Sequence, residues 1–171
     1  MNLVGKLGAV WGIGGLVLLL GEAIYRLTPI AMATFDSRLD PLHWVALVVW
    51  VSAMLVLEGY RGFQKSFSPR AAARAKYLTE HPNVVRSLFA PFFCMGYFYA
   101  TRAVKIRSIL LTIGIVAMIV GVRQVDQPWR GIVDLGVVLG LTWGIVSIGV
   151  FTYLAFAAEG FDRSPETPRA T

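Results

Sequence analysis

Residues 132–158 read IVDLGVVLGLTWGIVSIGVFTYLAFAA. One carboxylate, Asp134, stands near the start, and glycine recurs at every fourth position through Gly136, Gly140 and Gly144. A run of this length exceeds the roughly 20 apolar residues that a helix needs to cross a hydrocarbon core about 30 Å thick. Only a helix or a closed barrel satisfies its own backbone there, and an uninterrupted apolar run with no alternation reads as helix. Three further runs of the same kind lie at about 7–27, 42–60 and 106–122. The second contains LVVWVSAMLVL over 47–57, apolar on every face as a spanning helix is.

Composition agrees. The chain of 171 residues is 56% hydrophobic and only 15% charged, with a mean hydropathy of +0.64, too apolar for a soluble domain of this size. The net charge of +6 invites a nucleic-acid reading. Lys and Arg instead flank the apolar runs, where they act as orientation signals and contacts to anionic head groups, so no nucleic-acid partner is expected.

A single cysteine, Cys94, excludes an internal disulfide and a cysteine metal cluster. The two histidines, His43 and His81, fall on opposite sides of the expected membrane and cannot ligate one haem or metal. No phosphate-cradling glycine loop or nucleophile elbow is present in the sequence. The expectation is therefore a chain that is not an enzyme and holds no cofactor.

The predicted fold is all-α: a four-helix transmembrane bundle of two hairpins in one domain, residues 1–163, with a flexible tail at 164–171. Thr28-Pro29 is expected to end the first span at Leu27. Ala31-Met32-Ala33 resembles a signal-peptidase site, but the apolar stretch before it is longer than a signal h-region, so a retained span is expected. Residues 61–105 form the connection between hairpins. Arg61, Lys65, Arg70, Arg74, Lys76 and Arg86 make it basic, and Ser68-Pro69 predicts a short helix from about Pro69 to Thr79. From Ser87 to Thr101 the chain is apolar and aromatic but short for a span, which predicts an interfacial or shallowly inserted segment. Of sixteen Lys and Arg, four (Arg26, Arg38, Arg123 and Arg130) fall on the other side. The positive-inside rule then places both termini in the cytoplasm of what is expected to be a bacterial cytoplasmic (inner) membrane, with the basic connection on anionic lipid.

Carboxylates interrupt or bound the apolar runs with an arginine three or four residues away: Glu22 with Arg26 in the first, Glu58 with Arg61 in the second, and Asp134 with Arg130 and Glu159 with Arg163 at the two ends of the fourth. At that spacing helical side chains meet, so local ion pairs near helix ends are expected rather than a relay. Small residues mark packing faces, at Gly8 and Gly12, at Gly114, Ala117 and Gly121, and at Gly136, Gly140 and Gly144. Phe92, Phe93 and Tyr97 add an aromatic face for a neighbouring helix or head groups. Glu58-Gly59-Tyr60 and Glu159-Gly160-Phe161 hint at an internal duplication of hairpins. These residues support two functional expectations. The first is a non-enzymatic membrane protein acting by association, as accessory or assembly subunit or as a homo-oligomer. The alternative is an oligomeric transporter or channel for a proton, ion or small polar solute, using the embedded carboxylates.

Overall fold

The computed structural model describes residues 3–158 and 161–168, and every element among them is helical. Four helical stretches are long and apolar enough to cross a membrane: Leu3–Asp36, Pro41–Glu80, Arg102–Val122 and Trp129–Ala157. Helix α1 is Leu3–Met32, with a 3-10 turn at Ala33–Asp36. It runs through Pro29 instead of stopping at Leu27. A proline so close to the end removes one backbone bond, and the Thr28 hydroxyl donates to Ile24 O at 2.7 Å in the same turn.

The second stretch is one continuous helix of 40 residues, where a span and a separate surface connection are predicted. It begins as α2, Pro41–Met54, with proline at the first turn and the Asp40 N–H donating to His43 Nδ1 at 3.2 Å. From Leu55 to Phe67 it widens into a π-helix, closed where Ser68 N–H reaches Phe63 O. It tightens again as α3, Ser68–Glu80. Helix α7, Trp129–Ala157, packs along α1 and along the whole second stretch. These three form the bundle.

The two ends of the bundle can be told apart by their contacts. At the turn end, Gln127 holds the loops together: its Nε2 donates to Ile30 O at 3.0 Å and its Oε1 accepts from Gly131 N–H at 3.2 Å. His43 meets the Trp129 ring there at 4.8 Å. At the tail end, the backbone of Leu78 abuts Gly5, and Lys6 and Thr79 line a common groove with Phe156. The start of α1 and the end of α7 therefore lie at the same end.

The most buried part of the molecule is α3, which the sequence places on the surface. Ala71, Ala72, Ala75 and Leu78 have no exposed area, and Arg74 has none either. Alanines let α1 and α7 approach closely, and Leu16, Phe93 and Ile148 complete the core around them. The arginine is tolerated because all three of its guanidinium nitrogens donate. Nε donates to Phe93 O at 2.6 Å, Nη1 to Pro165 O at 2.7 Å, and Nη2 to Phe98 O and Tyr99 O at 2.9 Å each. The guanidinium also lies 4.1 Å from the Phe93 ring centre.

Those bonds organise the chain beyond α3. The short helices α4, Val84–Leu88, and α5, Ala90–Met95, lie along α1, with Ser87 against Gly8, Cys94 and Ala90 against Gly12, and Pro91 against Gly15. Neither helix is long enough to cross a membrane, and the segment climbs beside the tail-end half of α1. Gly96 ends α5 in the left-handed conformation, φ 89°, where a Cβ would also meet Val104 at 2.6 Å. Tyr99 is left-handed too, φ 47°, and its carbonyl is one of those Arg74 holds. The tail is tied at the same place. Besides the Pro165 bond, Glu166 O accepts from Thr101 N–H at 2.9 Å, so the described part of the expected flexible tail is anchored.

Helix α6, Arg102–Val122, departs from the predicted bundle. Among the described residues it packs extensively along no other helix. Its attachment lies near its start, where Val104 meets Gly96, Ser108 donates to Met95 O at 2.7 Å, and Thr112 bonds the Tyr97 hydroxyl. From Ile109 to Gly121 every residue is exposed except the half-buried Met118. The second hairpin is connected in sequence but open in space.

Candidate functional site

The carboxylates separate by environment. Glu22 accepts from Arg26 Nε at 2.6 Å on the outer face of α1. Asp134 is buried, and its Oδ2 lies 3.8 Å from Arg130 Nε, too far for a hydrogen bond. Glu58 makes no ion pair with Arg61, which is exposed, and its Oε2 is sealed without a hydrogen-bond partner among the described residues. Glu159 lies outside the described residues, and so does its expected pair with the exposed Arg163.

Glu58 does not sit near a helix end. It projects from the π-helical segment against Gly140, where a Cβ would come within 2.8 Å of Oε2. Gly140 is the twelfth residue of the 29-residue α7, about 17 Å along it from Trp129 at 1.5 Å per residue. That is mid-depth for a core about 30 Å thick. The π turns explain why the i to i+3 pairing of the sequence pattern is not met: widening the helix rotates Arg61 off the face that carries Glu58.

Two tryptophans bracket the carboxylate along the seam between the second helical stretch and α7. Trp50 Nε1 donates to Val133 O at 3.2 Å beside Gly136, and Trp143 Nε1 donates to Gln64 Oε1 at 2.9 Å, its ring against Gly59. Gly144 receives the Phe63 ring. An open cleft of about 550 Å³ continues the same seam, lined by Gln64, Thr142, Trp143 and the buried Ser147, whose hydroxyl has no partner among the described residues. The glycine spacing on α7 is therefore what admits Glu58, Trp50 and Phe63 to the seam.

The remaining predicted residues divide in the same way. Gly8 and Gly12 receive α4 and α5, whereas Gly114 and Gly121 face nothing within 4 Å. Phe93 is fully buried under Arg74, Tyr97 holds α6, and Phe92 is exposed. The sequence does not single out Arg74, Gln64 or the paired tryptophans as parts of a site. Alanines on both sides of Arg74 are the available sign that its helix is enclosed.

Cys94 carries no accessible chemistry. Burial pushes its thiol up to about 12, against the opposing pull of Arg74, and it has no exposed area. Among the described residues no group of three His, Cys, Asp or Glu side chains could hold a metal ion. Comparison with known proteins finds no matching family model, no matching curated protein and no matching solved structure.

Proposed function

We propose that this chain acts by association within the membrane, as a non-enzymatic accessory or assembly subunit of a larger membrane complex or as a homo-oligomer. The observation that carries the reading is α6. A spanning helix normally gains its place from close packing with neighbours, because lipid tails are as apolar as its side chains. Among the described residues this one touches its own chain only near its start, at α5 and the loop after it, and its small residues Gly114 and Gly121 are open. They leave a face onto which a helix of another subunit or another copy can close. The exposed Phe92, whose ring lies 6.1 Å from that of Tyr97 where Tyr97 bonds Thr112 of α6, extends that face.

The same reading takes the tail end to the cytoplasmic face of a bacterial inner membrane, on anionic lipid, with α4, α5 and the aromatic residues around them inserted to shallow depth. The basic residues at that end support it. A second reading, an oligomeric transporter or channel for a proton, ion or small polar solute, is favoured by Glu58, the one described carboxylate that combines mid-depth placement with a sealed, unpartnered oxygen. It is held second because Glu22 and Asp134 each stand beside an arginine on other faces.

The test is the mass of the particle extracted gently from its own membrane, compared with a Gly114→Leu variant. Association through α6 predicts a particle heavier than one chain that falls to monomer mass in the variant. A monomer from the parent, or a heavy particle indifferent to bulk on α6, would overturn it.

A further inference from the structure

We propose that Glu58 is a proton-binding site in the membrane interior, its carboxyl group holding a proton while the seam against Gly140 is closed and releasing it to water that enters the cleft beside Gln64 and Trp143. The inference does not rest on α6, and its test leaves the association reading untouched.

An ionised carboxylate needs donors or a cation, because leaving its charge bare in an apolar medium is expensive. Glu58 has neither among the described residues. From α7 it faces glycine, which offers no side-chain donor, and α7 has no ionisable group between Asp134 and Tyr153. Asp134 stands beside Arg130, and Tyr153 is exposed to the outside of the bundle. Both indole N–H groups on the seam are already bound to other acceptors. On its own helical stretch, α2 contributes only His43 at the far turn, the π-helical segment has Tyr60, Arg61 and Lys65, all exposed, and Lys65 lies over Tyr60 at 4.7 Å. From α3, the charged groups nearest in sequence are Arg70 and Arg74; the fork of Arg74 is filled by carbonyls. A protonated carboxyl asks for much less: one acceptor for its O–H, which helix carbonyls can supply.

The proton fits better than a metal cation. A cation in this position would require several oxygen ligands, and among the described residues no cluster of three or more His, Cys, Asp or Glu side chains forms anywhere, this seam included. The exchange balances simply, the carboxylic acid giving carboxylate plus a proton to water. The π-helical geometry around Glu58 suits such a site, since π turns within α-helices occur frequently where function lies.

The full chain in lipid nanodiscs, treated with dicyclohexylcarbodiimide, tests the site, because this apolar reagent adds to protonated carboxyl groups inside membranes. One reagent per chain is expected on Glu58 at neutral pH, with loss of labelling as pH rises and none at Glu22, whose carboxylate is bound by Arg26. A second measurement covers a reagent kept out by packing: the infrared carbonyl band of a protonated carboxyl, present at neutral pH in the parent and lost in Glu58→Gln. Absence of both the adduct and the band overturns the proposal. So does labelling that ignores pH, or labelling that sodium chloride suppresses and potassium chloride does not, which would make the ligand a cation.

Discussion

Arg74 shows how a single residue can be misplaced by its charge. In sequence it belongs to a basic stretch that reads as a solvated face; in the structure it has no exposed area and four carbonyls converge on it. Only a planar fork can serve Phe93, Phe98, Tyr99 and Pro165 together, so the residue joins α3, α5, the loop before α6 and the tail. Replacing it by Met strands those acceptors. With hydrogen bonds to a charged group worth about 1.5–3 kcal/mol each, Arg74→Met is expected to cost at least about 3 kcal/mol. Arg74→Lys should recover little, since an ammonium on a thinner stem cannot reach both Pro165 and Phe93. Thermal unfolding of the purified protein checks both variants, and a Met variant melting with the parent would show that the convergence is incidental to stability.

At the scale of elements, the four apolar stretches and the glycine row of α7 were legible because they depend on local composition and helical spacing alone. What those rows meet was not. Gly136, Gly140 and Gly144 look identical in sequence to Gly114 and Gly121, yet the first set receives Trp50, Glu58 and Phe63 and the second receives nothing. The difference comes from tertiary packing, and from a π-helical segment that no residue pattern announces. Pro69, which reads as the first residue of a separate helix, lies just past the end of that segment, where a missing N–H is absorbed by the change of register. The contrast can be measured. In Gly144→Leu the new side chain meets the Phe63 ring, with a Cβ already within 2.8 Å, and overpacking of this kind costs about 1–3 kcal/mol. Gly114→Leu should leave the melting point of the isolated chain unchanged, because nothing lies within 4 Å. Equal destabilisation by the two, measured on monomeric protein in detergent, would show that α6 packs against its own bundle in solution.

For the molecule as a whole, the relative placement of the two ends comes from contacts, whereas the side of the membrane comes from charge. Leu78 against Gly5 and Phe156 near Lys6 put the start of α1, the end of α3 and the end of α7 at one end of the molecule. The proposal that this face is cytoplasmic rests on the positive-inside rule. Arg74 itself cannot report on this, being enclosed, but Glu80 at the tail end and Asp126 at the turn end are both exposed. Single cysteines there can be read against a quiet background, since the native Cys94 is buried with its thiol pushed up to about 12 and stays protonated at neutral pH. With an impermeant maleimide added to intact cells, Asp126→Cys should label and Glu80→Cys should label only after the membrane is opened. The reverse pattern would invert the molecule and put its basic end, and with it the anchored tail at Pro165, outside; labelling of both from outside would mean that the stretches between them do not cross.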